Sequence, residues 1–515
     1  MMYDDLTTAA IHAGTDKFGL HDYTPNYNKL FQHLRDQPIR VLEIGVGGYA
    51  DDDRGGQSLE VWRDYFPNAQ ITGIDIQKKT MDLGPRVEIL QGSQVDADFL
   101  KELVAKRGPF DIIVDDGSHR NEHIVESFQL LFPTLVPGGI YVAEDVQTSF
   151  HPRFGGSLEM TAPNAVGHFG QIAQDLSAHD DIAAMERFHN MIAMHKTKDG
   201  AVRDVFTSPL FAPFTTNAPA LTVVGPQPDL PFTTKPATDS SDLLILTADA
   251  STTPADIETH FDTLADNGVM VIQCDAPTAD LSRYIQHRFT MVDHVEIVVH
   301  HPDAPIDDYA GQIYAVERYK TAFILHKSPN RYPSNFAYDA TNPQAAAAIA
   351  HMGDVLKTSD QPGGLVQYAS ILSRYIDVAA SAETINKLTA LNANSREYYQ
   401  MAGALARSEK RMDDACALFI AALEKFPHDP QFSVMLAAIY ANQKKTELAE
   451  TTLREAHAAY PRARNIVAAL TRALENKGDI SEAKALVEST INLFPQNMRP
   501  GRLEILLRLE QTLES

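Results

Sequence analysis

The chain has 515 residues, which is too long for one domain and predicts about three. Its 44 Lys and Arg residues against 68 Asp and Glu residues give a net charge of −24, which argues against binding to duplex nucleic acid or to an anionic membrane surface. The two distant cysteines, Cys274 and Cys416, exclude a disulfide scaffold and a Cys-rich zinc module. The N-terminal residues lack signal-peptide features, and no apolar run reaches the ~20 residues of a spanning helix, so we expect a cytoplasmic protein without a membrane span.

Residues 1–205 alternate short β-rich runs with helical stretches, which predicts an α/β domain with a mostly parallel sheet. Several runs are continuously apolar, as expected of strands covered by helices on both faces. Helices are predicted at Leu59–Tyr65 and Glu122–Leu135. The predicted strands are Arg40–Gly45, Ile71–Ile76, Val87–Leu90, Phe110–Asp115 and Gly139–Ala143.

A glycine-rich turn, which contains Gly45, Gly47 and Gly48, follows the first predicted strand. Glycines at such a turn let the backbone approach a nucleotide-like ligand closely, and Asp75, at the end of the next strand, is placed to bind both hydroxyls of a ribose. The spacing lacks the third glycine of a nicotinamide-dinucleotide fingerprint, so it better suits an adenosyl ligand without a pyrophosphate. The alternative is a glycine-rich turn of an unrelated α/β fold.

Acidic residues follow two further strands. Asp115, Asp116 and His119 come after one strand, and Glu144-Asp145 comes after the next. Because ligands bind where parallel strand ends converge, Asp116, Glu144 and Asp145 can gather around one cation, for which oxygen ligands favour Mg²⁺. His119 can reach the same cleft and suits a general base. In the alternative interpretation, Asp115 or Asp116 caps the next helix and His119 is a surface residue.

Residues 206–340 begin with a Pro- and Thr-rich stretch and then become strand-like again. Asp111, Glu186 and His195 each have a similar residue 131 positions later. The common offset indicates a partial duplication of the second half of the first fold, with chance similarity of two α/β segments as the alternative. The counterparts are Asp242, Glu317 and His326, and the predicted strands are Leu221–Val224, Leu243–Leu246, Val269–Ile272 and Ala322–Leu325.

The second copy lacks most of the candidate site residues. Leu246-Thr-Ala-Asp-Ala-Ser stands where the first copy has its Asp-Asp-Gly-Ser-His turn, and Gln273-Cys274-Asp275 stands where it has Glu144-Asp145. No glycine-rich turn precedes these positions. We therefore predict that residues 206–340 are a non-catalytic, degenerate α/β domain that packs against the catalytic one or helps to shape its acceptor site.

Residues 341–515 are rich in Ala, Leu and Glu and are predicted to be helical throughout. An aromatic-Pro pair recurs every 34 residues, the period of a tetratricopeptide repeat, in which the proline ends the second helix of each hairpin. We expect an N-terminal cap over 341–395, a terminal capping helix over Leu503–Leu513 and a concave surface that binds a protein partner. The pairs are Phe426-Pro427, Tyr460-Pro461 and Phe494-Pro495.

Several segments together resemble the class I S-adenosylmethionine-dependent sugar O-methyltransferases, over about residues 12–200. They are Gly14-Thr-Asp-Lys17 with His21, Tyr23 and Tyr27, then VLEIGVGGY, GGQSLEVW, FPNAQITGIDI, FDIIVDDGSHRNEH and GGIYVAEDVQTSF.

The resemblance implies a Rossmann-like methyltransferase domain that uses S-adenosylmethionine and Mg²⁺. It implies that Asp116, Glu144 and Asp145 hold the metal, and that His119 removes the proton from a sugar hydroxyl. The residues expected to bind S-adenosylmethionine are Glu43, Gly45, Gly47, Ser58, Asp75, Asp115 and, near the adenine, Gln94.

The predicted function is methyl transfer to a sugar hydroxyl of a glycan, a glycoconjugate or a glycosylated small molecule. The loop Gln147–Gly156 should border the acceptor, with Phe150 and Phe154 either stacking on a sugar face or packing in the core. The added domain and repeats depart from the family and make a glycan, glycoprotein or glycolipid at least as plausible as a free antibiotic, and a homo-oligomer is possible. Two alternatives are a repeat-based interaction scaffold with a vestigial methyltransferase domain, against which the intact His119 counts, and a methyltransferase acting on protein.

Overall fold

The computed structural model describes residues 4–48, 52–157, 164–198, 205–208, 211–293, 307, 309–328, 343–493 and 499–514. The chain divides into two compact units, Met1–Ser359 and Asp360–Ser515. The sequence predicted three, with boundaries after residues 205 and 340. The first two predicted domains instead share one hydrogen-bonded sheet within the first unit, because strands from both halves pair with each other.

The first half of this sheet has the strand order β3-β2-β1-β4-β5-β7-β6. Strands β1 to β5 pair with one another in parallel, and β7 runs antiparallel to β5 and β6. All five predicted strands are present, and β6 and β7 were not predicted. The strands are β1 Arg40–Ile44, β2 Gln70–Asp75, β3 Val87–Gln91, β4 Ile112–Asp115, β5 Ile140–Glu144, β6 Ile182–Phe188 and β7 Met191–Lys196.

Helices cover this half of the sheet and bury a mostly aliphatic and aromatic core. Both predicted helices are present, although the second ends at Leu131, four residues earlier than expected, where a 3-10 turn containing a proline follows. The helices are α1 Asp5–Ala13, α2 Thr24–Phe31, α3 Gln57–Tyr65, α4 Ala97–Arg107, α5 Asn121–Leu131 and α6 Ala165–Gln174.

The end of α1 carries the chain towards the sheet edge. The Asp4 carboxylate caps the start of the helix by accepting the Thr7 backbone N–H at 2.8 Å. Gly14 ends it in the left-handed conformation with φ of 75°, which glycine adopts without the steric penalty of a side chain. The backbone N–H of Tyr23 then donates to the Lys17 carbonyl at 3.0 Å, which holds the following loop together. This loop places Lys17 and Tyr23 over the ends of the strands.

The second half of the sheet repeats this arrangement in the order β12-β13-β11-β10-β8-β9. All four strands predicted here are present, and β9 and β12 were not predicted. Its helices are α7 Ala212–Thr216, α8 Pro254–Asp262 and α9 Ala279–Thr290. Its strands are β8 Ala220–Val224, β9 Lys235–Pro236, β10 Ser241–Thr247, β11 Leu264–Gln273, β12 Ile313–Tyr319 and β13 Ala322–Lys327. The last helix of the first unit, α10 Pro343–Leu356, contacts α1.

The two halves meet at an antiparallel pairing of β6 with β12, in which Glu186 lies opposite its counterpart Glu317. Each glutamate pairs with a histidine in its own half, and the Oε1 to Nε2 distance is 2.7 Å for both His195 and His326. The sheet therefore has an approximate internal two-fold symmetry about these glutamates, which supports the predicted duplication.

The second unit is helical, and its elements pack through two apolar clusters. The predicted repeat prolines at 427 and 461 each follow the end of a helix, and the pair Phe494-Pro495 lies outside the described residues. Among the residues that the structure describes, no helix combines the length and apolar character needed to cross a membrane. The helices are α11 Pro362–Tyr375, α12 Ala382–Ala390, α13 Arg396–Ser408, α14 Met412–Lys425, α15 Pro430–Asn442, α16 Thr446–Ala459, α17 Arg464–Lys477, α18 Ile480–Thr490 and α19 Arg499–Glu514.

Candidate active site

The carboxyl ends of β1, β4 and β5 lie side by side, because the three strands are parallel and in register. Glu43 lies near the end of β1, Asp116 directly follows β4, and Glu144 and Asp145 lie at the end of β5. These four acidic side chains, which are distant in sequence, are thereby brought to one edge of the sheet.

Lys17 lies at the centre of this acidic group, with its side chain 1% exposed. Its ammonium nitrogen is 2.7 Å from both carboxylate oxygens of Glu144, 2.9 Å from Asp116 Oδ2 and 3.3 Å from Glu43 Oε1. The hydroxyl of Tyr27 also donates to Glu144. Lys17 therefore supplies a positive charge among acids that would otherwise repel each other. The sequence identified Lys17 only as part of a family motif and assigned it no role.

Burial and neighbouring charge shift the ionisation of this group. Burial by itself would lower the pKa of Lys17, but the facing carboxylates of Asp116, Glu144 and Glu43 raise it well above its ordinary value. Burial raises the pKa of Asp116, of Glu144 and, to about 7, of Glu43. The ammonium is thus held in its charged form.

Asp145 has a different environment. Burial raises its pKa, but the facing rings of His21 and His119 and a hydrogen bond from Tyr23 outweigh burial, so the net pKa is below the ordinary value. The Tyr23 hydroxyl donates to Asp145 Oδ1 at 2.8 Å, and Asn190 Nδ2 donates to the same oxygen at 3.0 Å. Asp145 therefore remains a carboxylate at neutral pH.

Asp116, His119 and Asp145 each offer one ligand atom within 4.8 Å of the others, which is close enough for one cation to contact all three. His119 Nε2 lies 3.6 Å from Asp145 Oδ2. The predicted metal ligands were Asp116, Glu144 and Asp145, whereas this geometric group contains His119 and leaves Glu144 in contact with Lys17.

His119 and Asp145 both have left-handed backbone conformations, with φ of 55° and 54°. Such strain in non-glycine residues is concentrated at functional sites.

The predicted glycine-rich turn lies beside this group. A Cβ atom at Gly45, whose φ is 92°, would come within 2.0 Å of the Asp116 carbonyl oxygen, so only glycine lets the turn lie against the β4 loop. The backbone N–H of Val46 donates to Asp75 Oδ2 at 3.0 Å, which ties the turn to the end of β2. Gly47 is more open, because a Cβ atom there would lie 4.0 Å from its nearest neighbour, the Gly55 Cα. This turn can therefore accept a ligand close to its backbone.

Two other predicted ligand-binding residues, Glu43 and Ser58, are hydrogen-bonded to each other. The Glu43 carboxylate accepts a hydrogen bond from Trp62 Nε1 at 2.9 Å, and Ser58, at the start of α3, also hydrogen-bonds to Glu43. Trp62 itself is 1% exposed. This network fixes the Glu43 carboxylate between the core of the domain and Lys17.

Asp115 and Gln94 form hydrogen bonds that hold the loop after β4 in place. Asp115 is buried and accepts hydrogen bonds from Tyr141 at 2.9 Å and from Gln94 Nε2 at 3.0 Å, and also from Ser127. Gln94 Oε1 accepts the backbone N–H of Ser118 at 2.8 Å. The structure thus turns both side chains towards the core, where they brace the loop that carries His119.

The loop Gln147–Gly156 shows the two aromatic residues in different environments. Phe150 is 1% exposed and packs in the core, whereas Phe154 is partly exposed, with the Arg153 guanidinium 4.5 Å from its ring centre. Of the two, Phe154 is available to a ligand.

In the second half of the sheet, Cys274 is buried, and Asp249 accepts hydrogen bonds from Ser251 within its own turn.

Comparisons with known proteins agree with the motifs in the sequence. A tetratricopeptide repeat family model matches residues 406–464. The chain is 47% identical over 156 residues to the mycinamicin VI 2''-O-methyltransferase of Micromonospora griseorubida, which corresponds to 30% of this chain and 39% of that protein. It is 39% identical over 222 residues to a rhamnosyl tetracenomycin-C 3'-O-methyltransferase of Streptomyces olivaceus, which corresponds to 41% of this chain and 57% of that protein.

A solved structure also matches: a methyltransferase of the mycinamycin biosynthetic pathway in complex with Mg, SAH and mycinamycin VI. It is 39% identical, with 39% of this chain and 57% of that chain covered and a TM-score of 0.36. The chain spans about half the length of the curated relatives it matches. The protein thus combines a segment that is similar in sequence to sugar O-methyltransferases with a tetratricopeptide repeat segment.

Proposed function

We propose that the first half of the sheet transfers a methyl group from S-adenosylmethionine to a sugar hydroxyl, with Mg²⁺ bound and His119 as the general base. The observation that carries this proposal is the group formed by Asp116, His119 and Asp145 beside the Gly45–Gly48 turn, which is open at Gly47. In this proposal Asp116 and Asp145 supply carboxylates for the cation, His119 supplies the proton acceptor, and the turn lies where the methyl donor would bind. The 47% identity to a curated sugar O-methyltransferase supports the same assignment.

The donor atoms fit a hard divalent cation. Asp145 is ionised at neutral pH and, like Asp116, offers carboxylate oxygens, which are the ligands that Mg²⁺ prefers. Glu144 remains the predicted third ligand, and binding a cation there requires Lys17 to release one of its two bonds to that carboxylate. A bound Mg²⁺ would supply positive charge that lowers the pKa of the acceptor hydroxyl.

His119 is proposed to accept the hydroxyl proton at Nε2. The carboxylate of Asp145, 3.6 Å from that nitrogen, stabilises the imidazolium that results. The left-handed backbone at His119, held by the Asp115–Gln94–Ser118 hydrogen bonds, keeps the ring at the sheet edge. The donor, when bound, supplies an electrophilic methyl group, and much of the rate is expected to come from positioning it against the acceptor oxygen.

We propose that the Gly45–Gly48 turn, Asp75, Glu43 and Ser58 hold the methyl donor. Asp75 ends β2 next to Ile76, an apolar side chain that is 63% exposed and therefore available to pack against a flat ring. The sequence assigned Ile76 no role. Asp115 and Gln94 are proposed to act on this site by bracing the loop.

The acceptor is proposed to be a sugar of a glycan, a glycoconjugate or a glycosylated small molecule. The relatives' names describe sugar-bearing natural products, and the repeats support an acceptor presented by, or bound together with, a protein partner. A cytoplasmic location remains a prediction from the sequence.

Methyl transfer from S-adenosylmethionine to rhamnoside-bearing acceptors, measured by mass spectrometry, tests this function. We expect EDTA to abolish activity and added Mg²⁺ to restore it. His119→Ala should lower kcat about a hundredfold or more while donor binding, measured by calorimetry, is retained. His123→Ala, on α5 and bonded to Ser118, is the matched control and should keep its activity.

Three results would contradict the proposal. Full activity in both EDTA and His119→Ala would exclude the cation and the base, and would leave Lys17 as the positive charge of the site. Absence of donor binding would favour an interaction scaffold with a vestigial domain. Methylation of a protein side chain instead of a sugar would support the protein methyltransferase alternative.

A further inference from the structure

We propose that Asp293, in the second half of the sheet, is a positioning residue for the cation site of the first half. This inference rests on the proposed function, because it concerns the same site. It would give the non-catalytic half a defined part in the chemistry, through a chain of buried hydrogen bonds that runs from Asp293 to Asn190 and then to Asp145.

Asp293 belongs to the second half of the sheet, but its side chain contacts residues of the first half. It follows α9 in a short 3-10 turn, and its side chain is fully buried. Its Oδ1 accepts the backbone N–H of Asn190 at 2.7 Å, and its Oδ2 accepts a hydrogen bond from the guanidinium of Arg187, which is also fully buried. A carboxylate that is charge-paired and hydrogen-bonded in this way has little freedom to move.

Asn190 transmits this contact to the site. It lies in the tight turn between β6 and β7 with a left-handed φ of 60°. Its side-chain nitrogen donates to Asp145 Oδ1 at 3.0 Å and to the Tyr23 hydroxyl at 2.6 Å, and its side-chain oxygen accepts the backbone N–H of Gln147 at 2.9 Å. Both ends of the Asn190 amide are therefore engaged around Asp145. Asp293 holds the backbone from which this amide projects.

The arrangement differs on the other side of the internal two-fold axis. Arg318 is the counterpart of Arg187 and is also buried, at 1% exposure. Where Arg187 bonds to a carboxylate of the other half, Arg318 reaches across to a backbone oxygen, with Nε donating to the Ala173 carbonyl at 2.9 Å. The direct hydrogen bond to a buried carboxylate thus lies on the side that carries Asp145, whereas Asp175 acts on Arg318 only through its charge. On this side the carboxylate holds the backbone of Asn190, whose side chain contacts Asp145.

Binding of Mn²⁺ alone to the full chain, measured by calorimetry, tests the inference without relying on activity. We expect Asp293→Asn to weaken Mn²⁺ binding about tenfold, the range found when an outer-shell partner of a metal ligand is lost. Arg318→Lys alters the corresponding contact of the second half, the hydrogen bond to the Ala173 carbonyl, and should bind Mn²⁺ like the wild type. In turnover assays Asp293→Asn should lower kcat and leave the KM for the methyl donor unchanged.

Asn190→Gly provides a second variant that keeps the left-handed backbone, so it separates loss of the amide from misfolding. It should weaken Mn²⁺ binding to the same extent. If Asp293 acts through Asn190, the double variant should bind no more weakly than Asn190→Gly alone.

The results distinguish this inference from the proposed function. A wild-type protein that binds no Mn²⁺ would overturn both. Wild-type affinity in Asp293→Asn, or equal losses in Asp293→Asn and Arg318→Lys, would overturn the positioning role and leave the proposed function standing. Additive losses in the double variant would also overturn it, because Asp293 would then act independently of Asn190.

Discussion

The ammonium of Lys17 lies 2.7 Å from both carboxylate oxygens of Glu144, and both side chains are buried. This contact joins the loop after α1 to the end of β5. It makes the acidic group at the sheet edge compatible with folding before any cation binds, because one of its charges is already compensated.

Replacement of Lys17 by methionine should therefore destabilise the first unit. The substitution leaves Glu144 and Asp116 buried without their shared cation, and breaking a buried pair on one side costs about 3–5 kcal/mol. Urea denaturation measures the change. Lys106→Met is the matched control, because its ion pair with Glu102 is exposed to solvent and should add little to stability. Equal stability of the two variants would contradict the central role of Lys17.

The raised pKa of Glu43 predicts that the free energy of unfolding depends on pH. Burial raises its pKa from 4.5 to about 7, so the folded state binds a proton more tightly than the unfolded state. Its contribution is then most favourable below pH 4.5, declines as the pH rises to about 7, and stays at its lowest value above that. Glu43→Gln cannot ionise, so the variant does not lose this stability as the pH rises. The stability of the variant relative to the wild type should increase between pH 5 and pH 8, as measured by urea denaturation at both values.

Glu126→Gln, on the exposed face of α5, controls for the loss of one negative charge. If the Glu43→Gln and Glu126→Gln variants show the same pH dependence relative to the wild type, Glu43 does not titrate in this range.

The β6–β12 pairing and the Arg187–Asp293 contact join the two halves of the sheet, so we expect the first half to be unstable on its own. A chain that ends at Ser208 loses β12 and Asp293, so β6 becomes an open edge and Arg187 loses its buried partner. Open edge strands pair with other chains. We expect this fragment to self-associate or precipitate, as measured by size-exclusion chromatography with light scattering.

A chain that ends at Ser359 keeps the whole sheet and is the control for this truncation. It should melt in one cooperative transition. A monodisperse, cooperatively folded fragment that ends at Ser208 would show that the second half is dispensable for the first.

Two helical glycines in the repeat unit should respond to substitution in opposite directions. An alanine Cβ at Gly403 would lie 2.4 Å from the Phe419 ring, so Gly403→Ala should lower the melting temperature of the second unit. Gly501 has open space around the same position, and Gly501→Ala should stabilise its helix by about 0.5–1 kcal/mol. Thermal melting followed by circular dichroism measures both. A neutral Gly403→Ala would contradict close packing of α13 on α14.

Local patterns were sufficient for most of the fold. The apolar runs of β1 to β5 and the 34-residue period of the aromatic-Pro pairs depend on neighbouring residues, so they could be read directly. Strands β6, β7, β9 and β12 were missed. In β6 and β12, buried charged residues such as Glu186 and Arg187 interrupt the apolar run. Their charges are satisfied by partners in other elements, which no local pattern reveals.

The sequence by itself determined the acids and the histidine at the strand ends, the glycine turn and the common 131-residue spacing, since each is a short motif or a repeated spacing. Only the tertiary structure decided that Lys17 compensates Glu144, that Asp115 faces the core, and that Asp293 supports Asn190 from the other half. These contacts join residues up to 127 positions apart. They depend on the order of strands in the sheet, because hydrogen bonds and charge compensation act over a few ångströms in space and not along the chain.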